Sequence, residues 1–268
     1  MQQRNGAREV GLMVATLAVF GPFVSDAAMW ALTILAVVVA VAGTASLLGE
    51  PRPWRWPVDR LIAPAFAAFG AVGLARLIDP VPWLALLAPA ALAVVAWAIE
   101  LETAAAPGSD QPGSVLADGS HARAVPARLA VFGLLFAAFT AIGGIVPGGV
   151  AGDGQPPSLA AFLATIGLDV VIAALAGYRI VALRPHSRGD WLVAIYIYSL
   201  AIAPMGVLVR VLALPRLFGP AELTLVAYVV TALRESDEPI RHNSRLLEET
   251  AMLALAGVAA LAIGMVAR

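Results

Sequence analysis

Cysteine and lysine are both missing from this chain. Without cysteine there are no disulfides, no thiolate nucleophile, no iron–sulfur cluster and no Cys-ligated zinc. Without lysine there is no Schiff-base chemistry and no phosphate-binding lysine of a P-loop. All seventeen basic residues are arginine. Charge of either sign is scarce: 13% of the 268 residues are charged and the formal net charge is −1, where a soluble domain carries about 25% charged residues. The three histidines, His121, His186 and His242, all fall in polar connections, so paired axial ligands for a buried haem are missing. Walker A, GxGxxG, HExxH and aspartate-rich diphosphate motifs are absent as well. No catalytic residue, metal ligand or cofactor is assigned, and the arginine-bearing connections suit anionic lipid rather than nucleic acid.

Apolar sequence dominates instead. Hydrophobic residues make up 60% of the chain and the mean hydropathy is +0.87. Runs of about 18 or more apolar residues read as membrane spans, and no ~10-residue alternating segments of a membrane barrel occur. The expected fold is an all-α, polytopic transmembrane helix bundle. Spans are placed at 10–24, 27–48, 61–78, 82–99, 127–146, 158–183, 191–214, 218–233 and 250–267. That is nine, or eight if 10–24, which is short and broken by Gly21 and Pro22, is a half-helix or a cleaved signal. The longest polar stretch, 101–126, is rich in Gly, Ser and Pro and reads as a flexible linker. It separates an N-terminal four-helix half, 1–100, from a C-terminal four-helix half, 127–235. A charged connection and a terminal helix follow at 236–268.

Arginine placement sets the expected orientation, because short cytoplasmic loops collect basic residues. With the N-terminus inside, twelve arginines from Arg4 to Arg245 fall in inner connections, while the outer ones hold Asp26, Asp79, Asp153 and Arg216. The C-terminus then lies outside. Tryptophans fall at the expected interfaces, with Trp54, Trp56, Trp97 and Trp191 inner and Trp30 and Trp83 outer.

An internal echo accompanies this pattern. The stretch 62–80, IAPAFAAFGAVGLARLIDP, aligns without gaps on 202–220, IAPMGVLVRVLALPRLFGP. They share Ile-Ala-Pro at one end and Leu-x-Arg-Leu-x-x-Pro at the other. LAVFG also occurs twice, at 17–21 and 129–133. Two parallel repeats of four helices plus a ninth helix would produce such matches. Chance would too, since Ala, Leu and Val are so common here.

Charges inside spans are the candidate site residues, because each raises the insertion free energy by about 2.5–3.5 kcal/mol at the helix centre. Asp169 lies near the middle of the sixth span. It is expected either to line a polar cavity as a cation or proton site, or to pair with an arginine or a neighbouring helix. Arg76 and Arg210 lie near the outer ends of the third and seventh spans, and Glu222 early in the eighth. An Arg210–Glu222 ion pair is expected across the turn between spans seven and eight. Arg179, near the inner end of the sixth span, is expected to snorkel. Pro22, Pro64, Pro89 and Pro204 would kink their helices. Small residues at four-residue spacing, Ala173 with Gly177 and Ala256 with Ala260 and Gly264, allow close packing within the bundle or against membrane-protein partners or a second copy.

These features suggest a transporter or permease-like protein for a small solute or lipid, with a path between two halves. The alternative is a non-catalytic membrane subunit or scaffold packed against partners. A third reading is an intramembrane lipid-modifying enzyme using His242 and Glu248 in the connection between spans eight and nine.

Overall fold

A computed structural model describes residues 2–49, 57–78, 81–104, 119–146, 158–183, 190–212 and 217–235. The expected ninth span, 250–267, lies outside the described residues. So do 236–249 with His242 and Glu248, His186, Arg216, and most of the 101–126 linker.

Among the described residues the chain is helical, without strands. Eight α-helices follow one another: α1 (Gln2–Phe20), α2 (Asp26–Leu47), α3 (Val58–Leu77), α4 (Leu84–Ala104), α5 (Gly119–Ile145), α6 (Leu159–Ala182), α7 (Trp191–Val211) and α8 (Phe218–Glu235). Each of the first eight expected spans falls on one of them. Among the described residues six stretches are long and apolar enough to cross a membrane: Arg4–Phe23, Asp26–Leu47, Val58–Leu77, Leu84–Ala104, Leu159–Ala182 and Trp191–Val211. Leu129–Ile145 within α5 is a shorter apolar stretch. Twenty helical residues reach about 30 Å, the thickness of the hydrocarbon layer. The outer faces are apolar: Leu35 and Val38 on α2, Leu163 and Val171 on α6, and Leu192, Tyr196 and Leu200 on α7 are all exposed. Such surfaces belong in lipid, and the chain is an integral membrane protein by its helices.

Helix starts follow local chemistry. The Ser25 hydroxyl accepts from the backbone N–H of Ala28 and caps α2. The Ser158 hydroxyl does the same for α6 through Ala161 N–H. Each satisfies a donor that the first turn leaves orphaned. The buried hydroxyls of Thr33, Thr44 and Thr103 donate to carbonyls four residues back, at 2.7–3.0 Å, so no polar group is stranded by their burial. Gly49 leaves α2 at φ +76°, a left-handed position open to glycine.

The helices form two compact units, Met1–Ile145 and Val146–Arg268. In the first, α3 is the central helix, packed on α5, α2, α4 and α1, while α1 also lies along α4 and α2. Its position follows from its side chains. Ala63, Ala67, Ala68, Ala71 and Ala75 are buried together with Gly70 and Gly73, so neighbouring backbones can approach from several sides. The tightest approach is to α5. A Cβ on Gly144 would fall 2.0 Å from the Gly73 carbonyl oxygen, and one on Gly73 would fall 2.4 Å from that of Ala141. All of α5 belongs to the first unit, and the expected linker is shorter than composition suggested, because 101–104 continue α4 and 119–126 form the first turns of α5.

In the second unit α7 packs on both α6 and α8. Gly177 of α6 leaves room for the Tyr198 ring, which a Cβ there would meet at 2.7 Å. The buried Tyr198 hydroxyl hydrogen-bonds Thr231 of α8. Thr231 in turn donates to the carbonyl of Ala227 at 2.8 Å. One tyrosine thus ties three helices together.

The echo lies at different depths in its two helices. Pro64 is the seventh residue of α3, whose bounds are Val58–Leu77. Pro204 is the fourteenth of α7, whose bounds are Trp191–Val211. The shared residues do not mark equivalent helix positions.

Candidate functional site

Asp169 is the eleventh residue of α6, about 15 Å along it at 1.5 Å per residue. Its side chain is wholly buried. Four residues earlier, on the same face, stands buried Thr165. Opposite, on α7, Gly206 presents bare backbone: a Cβ there would sit 3.1 Å from Asp169 Oδ2. One turn further, Arg210 is the penultimate residue of α7. Side chains on a helix lean toward its N-terminus, so the Arg210 side chain runs back over Gly206 toward the middle of the span.

The guanidinium is held from three directions. Nη1 is 2.7 Å from Asp169 Oδ2. The same nitrogen donates to the Gly206 carbonyl at 3.2 Å. Nε donates to Thr165 Oγ1 at 2.8 Å, and the Thr165 hydroxyl donates its own proton to the Phe162 carbonyl at 2.8 Å. The contact is a short ion pair through one nitrogen and one oxygen, and Asp169 Oδ1 takes no hydrogen bond among the described residues. Arg210 keeps 13% of its side chain exposed, against none for Asp169. The result is an electrically neutral pair between adjacent helices with unused bonding capacity on both partners. Charge compensation makes such a pair tolerable in a low-dielectric interior, where one bare charge would be strongly unfavourable.

The other residues singled out by sequence take separate places. Arg76, in the last turn of α3, pairs with Asp26 at the head of α2. This pair is partly open, with 25% and 58% of the two side chains exposed. Glu222 is buried on α8, one turn after Gly219, whose backbone lies against Val209 of α7. The expected Arg210–Glu222 pair is not formed among the described residues. Arg210 reaches back along α7, where Thr165 and Asp169 of α6 and the Gly206 carbonyl of its own helix supply more partners than one acid across a turn. Arg179 is buried rather than extended toward a surface. Among the described residues no three His, Asp or Glu side chains come together as a metal site.

Thr165 and Gly206 escape a reading that looks only for charge, and Asp26 was read as an outer acid without its partner. The first two carried a usable signal, each standing four residues before a charged residue on its own helix. Asp26 carried one as well, being acidic in the turn that faces the end of the third span.

Compared with protein-family models, with curated proteins and with solved structures, the chain matches none.

Proposed function

We propose that this membrane protein is permease-like and moves a small solute, with the Asp169–Arg210 pair as the charged element of its path. The observation that carries the reading is the pair itself. It lies inside apolar helices, it is neutral as a unit, and one of its carboxylate oxygens takes no hydrogen bond among the described residues. An ionisable group in a span is rare and is a candidate for an ion or substrate pathway. The proline of α7, Pro204, frees a backbone carbonyl one turn earlier in the same helix. In this reading the chain crosses the membrane nine times, with its N-terminus cytoplasmic and its C-terminus outside, as the arginine distribution implies.

A second reading, a non-catalytic membrane subunit or scaffold, is favoured by one fact: Asp169 has no exposed surface. A closed pair of this kind can serve as a pin between α6 and α7.

One comparison separates the two. The purified protein is reconstituted into liposomes and challenged with a panel of labelled sugars, amino acids, organic acids and inorganic anions. Asp169→Asn is tested beside it, with thermal unfolding as a control for folding. The permease reading expects uptake of at least one solute, lost in an Asp169→Asn protein that remains folded. A silent panel, with Asp169→Asn merely destabilised, establishes the subunit reading instead.

A further inference from the structure

We infer that Arg210 is a binding site for a small monocarboxylate, which replaces Asp169 at the guanidinium while Asp169 takes up one proton for each anion bound. This deepens the permease reading and rests on it, although binding is measurable without flux.

Charge balance is the first ground. The pair is neutral and buried between α6 and α7. If an incoming anion took Arg210 alone, Asp169 would be left as an uncompensated carboxylate inside the span, a strongly unfavourable state. Adding one proton to that carboxylate restores neutrality: Arg210 keeps its charge, the ligand supplies one negative charge, and Asp169 becomes a neutral acid. One anion therefore requires one proton.

Geometry is the second ground. The hydrogen bonds of Arg210 use Nε and Nη1, to Thr165 and the Gly206 carbonyl. Asp169 meets the guanidinium through Oδ2 and Nη1 alone, and its Oδ1 takes no bond from it. A free carboxylate can approach the fork in the bidentate arrangement that Asp169 does not reach, and that arrangement is the stronger one. The natural competitor for a carboxylate is another carboxylate, which sets the ligand class.

Access is the third ground. Arg210 stands one residue from the end of α7 and is partly exposed, whereas Asp169 is sealed. A ligand arriving at that end meets the arginine first. Gly206 adds no side chain between the two charges.

No other described charge competes at the pair. On α6, Tyr178 and Arg179 lie more than two turns beyond Asp169 toward the opposite end. On α7, Tyr196 and Tyr198 lie two turns or more below Gly206. From α8, Glu222 is buried and forms no ion pair with Arg210 among the described residues.

The test uses the full chain purified in detergent, with sodium pyruvate as probe and sodium chloride at equal ionic strength as reference. Pyruvate stays ionised across the working range. Thermal unfolding of the wild type should rise by about 2–4 °C with saturating pyruvate at acidic pH and not at alkaline pH. Asp169→Asn, in which Arg210 has lost its counter-ion, should be rescued by pyruvate at both pH values. The double variant Asp169→Asn with Arg210→Gln should not respond. A wild-type response equal at the two pH values, or a double variant that responds like the single, would overturn the assignment. If Asp169→Asn does not fold, the wild type and the double variant carry the test together. Pyruvate-dependent proton entry into dye-loaded proteoliposomes then separates the two claims. Binding without flux removes the permease reading and leaves this site standing. Uptake of another solute with no pyruvate response removes this site alone.

Discussion

Asp169 and Arg210 show how a single charged residue in an apolar run can be found from sequence while its partner cannot. Depth is one-dimensional information: eleven residues into a helix is mid-span whatever surrounds it. Partnership needs the rotation of two helices about their axes, and the apolar residues around Asp169 are too uniform to report it. The sequence pointed Arg210 at Glu222, the nearest acid across a turn, because it did not register the backward lean of the arginine over Gly206. Removing either partner leaves the other buried without compensation. Asp169→Asn and Arg210→Gln are each expected to lower stability by about 3–5 kcal/mol. The double variant should lose less than the sum, with a coupling of about 1–3 kcal/mol. A double-mutant cycle by thermal unfolding in nanodiscs measures it, and additive losses would show that the pair does not act as one unit. Gly206 is expected to be intolerant for a related reason. Its Cβ would sit 3.1 Å from Asp169 Oδ2, so Gly206→Val should force the pair apart and reproduce most of the Asp169→Asn loss in the same assay.

At the scale of elements, most helix bounds followed from prolines and the lengths of apolar runs, while α1 and α5 each begin eight residues ahead of the apolar run that marked them, because polar residues extend their first turns. Which helix packs on which did not follow. The central position of α3 rests on a face built from alanine and glycine, and similar residues occur along most of this chain. Only the coordinates distinguish Gly73 and Gly144, whose backbones meet, from Gly133 and Gly167, which face open space. The contrast is testable. Gly144→Leu should prevent α5 from seating on α3 and abolish the folded fraction in size-exclusion chromatography. Gly133→Leu should leave it unchanged. Equal tolerance at both positions would contradict the close α3–α5 contact. The same limit explains the echo between 62–80 and 202–220. Identical residues were visible in sequence, but helix bounds that place Pro64 early in α3 and Pro204 late in α7 were not.

For the whole molecule, composition decided the class at once: scarce charge and abundant apolar runs leave a helical membrane bundle as the consistent outcome. The coordinates add helices of spanning length and apolar outer faces. Orientation comes from arginine placement alone, and the absence of cysteine makes it directly measurable. Gln3→Cys, Asp79→Cys and Ser187→Cys, each introduced singly and probed in intact cells with a membrane-impermeant thiol reagent, test the central claim that these helices cross the bilayer in alternation. The account predicts that Asp79→Cys is labelled from outside, while Gln3→Cys and Ser187→Cys are labelled only after the cells are permeabilised. Labelling of all three positions from the same side would contradict it.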